Sequence, residues 1–364
     1  LTPPQDEDLK RQGVSGELWA VHGGGFYHPV KFNVSPPKLP GHLHWFFWES
    51  YSTWLSGFAL FTVSYLWNAS TYLVDKSRMD WAPSTAIAVA LGFLAVFWLL
   101  YDLACRTFGQ KKNGDAIVGV LVLGLVCVAS WLACHWFAGR AAFLLVGAMI
   151  ATAMSANVFF WIIPGQRTVV AQIKAGQPVD PIHGKRGKQR SVHNTYFTLP
   201  VLFAMLSNHY SFTWSHPQNW LVLILMMFAG AAIRQFFVAR HGYKLGRNGN
   251  PLPYALAGVA VLLAAIVWMR PAPAAPAPAG AAAPVADFAT VQGVLAQRCY
   301  SCHGAQVQMK NLRFDTADAV RQNAQAIYQQ VVVQKLMPMN NATGMTDAER
   351  TLVRQWFEAG AAPR

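Results

Sequence analysis

Apolar residues in this chain come in long, barely interrupted runs, and most of those runs exceed what the core of a soluble domain needs. Seven are long enough to cross a bilayer as helices, at about 50 to 73, 84 to 104, 116 to 138, 141 to 163, 195 to 213, 219 to 239 and 253 to 269. The pattern predicts an all-α, multi-span transmembrane helical bundle over residues 1–269. After that the pattern changes twice. Residues 270–286 are almost wholly proline and alanine, the composition of a semi-rigid tether that extends about 3.1 Å per residue where it adopts polyproline II. Residues 287–364 return to helical spacing as a small all-α domain. Phe288 to Arg298 and Ala317 to Gln334 read as helices, and Thr346-Asp347-Ala348-Glu349 reads as a capping box. It opens a last helix that carries Leu352, Val353, Trp356 and Phe357.

Composition supports the bilayer and charge orients the chain in it. Apolar residues make up 54% of the sequence and charged residues only 12%, about half the charge of an ordinary soluble domain. Lys10, Arg11, Lys31, Lys38, Arg106, Lys111, Lys112, Arg167, Lys174, Lys185, Arg186, Lys188, Arg190, Arg240, Lys244 and Arg247 all fall in loops that share one side. The opposite short loops hold only Lys76, Arg78 and Arg140. Cytoplasmic loops carry the Lys and Arg excess, which places residues 1–49, 105–115, 164–194 and 240–252 inside and the C-terminal domain outside. The net charge of +13 is thereby a topology signal and a contact with anionic lipid. No nucleic-acid module accompanies it, so no nucleic-acid partner is expected.

The C-terminal domain carries the most specific chemistry. Cys299-Tyr300-Ser301-Cys302-His303 is the Cys-x-x-Cys-His arrangement that holds a covalent c-type haem, each thiol forming a thioether and the histidine ligating iron. A zinc site would need a second cysteine pair, and none follows. Met337, in Lys335-Leu336-Met337-Pro338-Met339, is the expected second iron ligand because Pro338 stiffens its backbone. Met339 is the alternative, and Met309 and Met345 read as apolar filler. The domain is expected to be class I-like and all-α. Haem c attachment outside the inner membrane agrees with the orientation from charge. Cys105, Cys127 and Cys134 lack ligand spacing and read as packing residues.

Polar residues inside spans are costly, so their positions inform. Glu49, Asp102, Asn157, Gln166, Arg167, His193, Asn194, Arg234 and Gln235 gather near the predicted cytoplasmic ends. With Gly23 to His28 and His42 to His44 beside them, they suit a pocket for a planar, carbonyl-rich anion, since Arg and Gln form paired hydrogen bonds. The plainer reading of each is a helix-end marker or an interhelical pair. A second group, Cys134-His135-Trp136, Asn208-His209-Tyr210 and His216, lies toward the outer face. It suits a b-type haem or, more plainly, a set of interfacial anchors.

Gly23-Gly-Gly-Phe-Tyr-His28, His44-Trp-Phe-Phe-Trp-Glu49, Asn157-Val-Phe-Phe-Trp-Ile-Ile-Pro-Gly-Gln166 and His193-Asn-Thr-Tyr-Phe-Thr-Leu-Pro200 resemble the bacterial integral-membrane urate oxidases, or urate hydroxylases, that carry a fused C-terminal cytochrome c domain. The resemblance covers nearly the whole chain. It implies one more span upstream of Leu1 and oxidation of urate, with water, to 5-hydroxyisourate. Two electrons would pass to the haem instead of to oxygen, and onward to an external acceptor such as a cytochrome or terminal oxidase. Polarity nominates His193 or Glu49 as the base, with Asn157 and Arg167 as substrate contacts. The alternatives are a quinol-type electron-transfer subunit with a cytochrome tail, and a purine carrier with a redox-sensing haem domain. A pocket on the inner side and a haem outside would lie about 30 Å apart across the hydrocarbon core, too far for one efficient electron transfer. Either an intermediate centre bridges them, with His135 and His209 as candidates, or urate binds nearer the outer face.

Overall fold

The structure, a computed structural model, describes residues 1–32, 35–270 and 286–361. The proline and alanine stretch expected to be a tether lies almost entirely outside the described residues. The protein is mostly helical, and its only sheets among the described residues are two small antiparallel pairs near the N-terminus. There β1 (Val14–Glu17) pairs with β4 (Val30–Phe32), and β2 (Ala20–His22) pairs with β3 (Gly25–Tyr27). Gly23 and Gly24 form the β2–β3 turn at φ of 60° and 80°, a left-handed conformation that glycine adopts without a Cβ penalty. These strands are too short for an alternating pattern to announce them.

The body that follows is a bundle of helices that alternate between two ends. They are α1 (Trp48–Phe61), α2 (Pro83–Phe108), α3 (Gly114–Trp136), α4 (Gly139–Asn157), α5 (Ile163–Lys174), α6 (Pro181–Leu206), α7 (Asn219–Lys244) and α8 (Leu252–Trp268). A π-helical turn, Val158–Ile162, joins α4 to α5 in one continuous helix, Gly139–Lys174. Among the described residues, four helices are long and apolar enough to cross a membrane: α2, α3, the continuous Gly139–Lys174 helix and α7. The other three expected spans differ for visible reasons. The stretch from residue 50 to 73 is interrupted, since α1 passes into a π-helical segment, Thr62–Leu66, and then a separate turn, Ala69–Tyr72. The expected span at 195 to 213 is the second half of α6, whose first half is strongly charged. The last is a 17-residue apolar helix, α8.

Close helix approach rests on small residues, as expected where lipid removes a hydrophobic drive between helices. A Cβ on Gly147 of α4 would lie 2.7 Å from the Ala204 Cβ of α6. At one end of the bundle the Ala138 N–H donates to the Leu73 carbonyl (3.1 Å), Asn219 donates to the Trp214 carbonyl (2.8 Å), and His216 lies against Trp268 (centroids 4.5 Å). Glu49, Asp102, Asn157 and Arg190 belong to the other end.

Residues 286–361 form a second core around Phe288, Val291, Leu295, Val353 and Trp356. Phe288–Arg298 is helical as predicted (α9), the stretch 317–333 is helical in short segments broken at Asn323, and Asp347–Glu358 is the last helix (α10). Its predicted capping box is formed: the Glu349 N–H donates to Thr346 Oγ1 (3.2 Å) and the Thr346 N–H to Glu349 Oε2 (2.6 Å). This tail meets the body where Asn340 Nδ2 donates to the Thr71 carbonyl (2.7 Å).

Candidate functional site

At the end of the bundle opposite Ala138, polar side chains from three helices close into one network. Asp102 of α2 is 4% exposed and Arg190 of α6 2%. The Arg190 guanidinium donates to Asp102 Oδ1 (2.6 Å), Trp161 Nε1 donates to the same oxygen (2.7 Å), and Arg106 Nε donates to Oδ2 (2.6 Å). Arg190 also lies between the Tyr101 and Trp161 rings, 5.0 Å from each centroid. A buried cation is tolerable there because the guanidinium meets a carboxylate, an amide oxygen and two π-systems.

The network continues through Asn157. Arg190 donates to its Oδ1 (3.3 Å), while its Nδ2 donates to the Tyr101 hydroxyl and to Asn194 Oδ1 (2.9 Å each). Asn194 Nδ2 in turn donates to the Met154 carbonyl (3.0 Å). Tyr101 Oη lies 2.9 Å from His193 Nδ1. Arg190, His193, Asn194 and Phe197 recur at three- and four-residue spacing, so α6 presents them on one face.

His193 also lines a cleft of about 720 Å³ between α3, α6 and α7. The cleft has a polar end at Asp115, Lys185, Lys188, Gln189, His193 and Tyr196, and an apolar wall along Val118, Val122 and Val126 of α3. Gln189 Nε2 donates to the Gly109 carbonyl (2.8 Å) and to Asp115 Oδ1 (2.6 Å), leaving its Oε1 as an acceptor. Lys185 and Lys188 are exposed and have no ion pair among the described residues. The arrangement can hold an anion against two ammonium groups and meet its polar edge with directed hydrogen bonds.

Of the residues nominated from sequence, Asp102, Asn157, His193 and Asn194 converge. Gln235 accepts a hydrogen bond from Tyr196 at the edge of the cleft, and Arg234 keeps a buried Nε without a partner among the described residues. Glu49 does not join them. It sits exposed at the start of α1, 3.9 Å from His44 Nε2. Gln166 and Arg167 are exposed too, with Arg167 over the Phe47 ring at 5.9 Å. His28 binds Glu17 (2.7 Å) and stacks on Trp19 within the strand pairs. Sequence reasoning counted Arg190 as a loop charge and passed over Tyr101 and Trp161. The signal for Arg190 was an aspartate in an apolar helix that required a cation.

In the tail, Cys299 is buried, Cys302 is half-buried and both are free thiols. Burial pushes the Cys299 thiol up to about 11. His303 Nδ1 lies 3.3 Å from the Leu312 carbonyl and its ring packs on Phe314 (centroids 4.9 Å). Arg350, itself 7% exposed, donates to the carbonyls of Val331 and Met337 (2.8 Å to the latter), which fixes the backbone that carries Met337. The outer histidines are held locally. His135 Nδ1 meets the Trp131 carbonyl one turn back (2.7 Å), and His216 Nδ1 accepts from the Gln218 N–H (3.1 Å).

Residues 2–270 match the family model described as urate oxidase N-terminal. The chain belongs to that family. The match contains the whole helical body with its network and cleft, and it stops where the proline and alanine stretch begins. No curated protein and no solved structure matches the chain.

Proposed function

We propose that this protein is a membrane-bound oxidoreductase that converts urate and water to 5-hydroxyisourate, releasing two electrons and two protons. The membership of residues 2–270 in the urate oxidase N-terminal family carries this reading. The cleft supports it: urate is a planar anion, and Lys185 and Lys188 supply charge while Gln189 and His193 supply directed polar contacts at one end. Asn157 acts from behind the cleft, through Tyr101. Glu49 and Arg167 do not line the cleft.

The tail residues fit a c-type haem. Two free thiols and a histidine stand on one short turn, and a carbonyl acceptor on His303 Nδ1 leaves Nε2 for a metal, the usual arrangement of a ligating imidazole. Cys299 and Cys302 would hold the haem covalently, and His303 and Met337 would ligate its iron. When bound, the haem supplies a one-electron acceptor in place of oxygen. In the proposed arrangement the network end faces the cytoplasm, the tail lies on the periplasmic side of the inner membrane, and an external cytochrome or terminal oxidase takes the electrons onward. The 19-residue helix α4 separates the two ends by about 28 Å at 1.5 Å per residue. That is too long for one efficient step, so the proposal requires an intermediate carrier; His135 and His209, expected from sequence to hold a b-type haem, are exposed and lie at the tail's end of the bundle, where they do not divide the distance.

The deciding experiment is an anaerobic titration of the full protein in membranes, following haem absorbance. Urate should reduce the haem without forming hydrogen peroxide. Reduction by a quinol and not by urate would instead make the protein an electron-transfer subunit.

A further inference from the structure

The network at Asn157 has a hydrogen-bond direction that can be read from its two ends. Arg190 can only donate, so the Asn157 atom facing it is the amide oxygen. The Met154 carbonyl can only accept, so Asn194 turns its NH₂ toward Met154 and its oxygen toward Asn157. These independent anchors give Asn157 one orientation, with its NH₂ donating to Asn194 and to the Tyr101 oxygen. The remaining Tyr101 proton then has one good acceptor among the described residues, His193 Nδ1 at 2.9 Å. The Cys105 thiol, with Sγ 3.8 Å from the same nitrogen, is too weak an acceptor to redirect it. Nδ1 is therefore the unprotonated nitrogen of a neutral ring, and the proton sits on Nε2, which has no hydrogen-bond partner among the described residues and belongs to a side chain that lines the cleft.

We propose that His193 is a neutral Nε2–H donor, held in that tautomer by Tyr101 and Asn157, which binds an electronegative oxygen of the substrate instead of withdrawing a proton. The substrate role rests on the urate reading above, while the tautomer does not. Tyr101 and Asn157 are positioning residues, since they act on the substrate only through the imidazole. The two protons released in the reaction leave by water or by another group.

Two measurements on the full protein test this separately. Nitrogen-15 NMR of histidine-labelled protein, with His193 identified by its loss in His193→Gln, should show a pyridine-type Nδ1 and a pyrrole-type Nε2. Tyr101→Phe should then mix the two tautomers. A proton on Nδ1 in the wild type, or an unchanged tautomer in Tyr101→Phe, overturns the assignment. In the second measurement, urate-driven haem reduction should fall about 100-fold in His193→Ala, the scale of losing one directed donor. His193→Gln, whose amide places an N–H near the position of Nε2, should stay within about 10-fold of wild type. A Gln variant as slow as the Ala variant, in a preparation whose wild type responds to urate, overturns the donor role. A wild type that does not respond to urate removes the urate reading and leaves the NMR result to judge the tautomer.

Discussion

Two histidines, one in the helical body and one in the tail, are both held through Nδ1 and emerge with opposite chemistry. His303 faces the Leu312 carbonyl, which can only accept, so its Nδ1 carries the proton and Nε2 keeps a lone pair. His193 faces the Tyr101 hydroxyl at the end of a chain of donors, so its Nδ1 accepts and Nε2 keeps the proton. The first suits a metal and the second suits an oxygen. A histidine's role is thus set by what stands behind it. A backbone carbonyl gives an answer no side-chain substitution can change, whereas the body's answer depends on Tyr101, Asn157, Arg190 and Asp102 together.

The largest test of the comparison is the same substitution at both positions. A glutamine keeps an N–H donor but offers no imidazole lone pair, so, if the proposed haem is bound, His303→Gln should abolish its histidine-ligated absorbance where His193→Gln leaves it intact. Next is Asp102→Ala, which strands the buried Arg190 cation. It should lower the stability of the body by about 3–5 kcal/mol, measured as detergent-solubilised thermal unfolding, and leave the tail's unfolding unchanged. Arg190→Met in the same background should recover part of the loss.

Smaller effects sharpen the tail's side. With its thiol pushed up to about 11, Cys299 of haem-free protein should be alkylated about 100-fold more slowly near pH 8 than a thiol at the usual value of 9. The thiolate is the reactive form, so the rate should climb about tenfold per pH unit and level off near pH 11; mass-spectrometric labelling reads it. Least of all, Thr346→Ala should cost the tail about 1 kcal/mol by removing the α10 cap, read by chemical denaturation.

Much of this architecture was legible because apolar periodicity and capping act locally. The runs that became α2, α3 and α7 and the Thr346–Glu349 box needed only neighbours in sequence. Convergence was partly legible: Asp102, Asn157, His193 and Asn194 stood out as polar residues where polarity is costly, and they meet. Glu49 and Arg167 looked equivalent but are exposed, since a residue at a helix end pays no burial penalty and need not find a partner. Arg190 was lost among the basic loop residues because charge counting ignores helical phase. Its spacing from His193 and Asn194 was the overlooked clue. The short strands between Val14 and Phe32 depend on pairings that no local pattern displays.

One feature of the bundle gives the proposed reaction an electrical dimension. α8 returns to the Ala138 end, where Trp268 meets His216, so the tail departs from the face opposite the Asp102–Arg190 network. An electron that starts at the cleft and ends on the tail traverses the whole membrane field, worth about 2.3 kcal/mol per charge for each 100 mV. With the network inside and the tail outside, an interior-negative potential drives that transfer forward. Urate oxidation would then draw on the energised membrane, and collapsing the potential with an ionophore should slow electron delivery in intact vesicles while leaving detergent-solubilised protein unaffected.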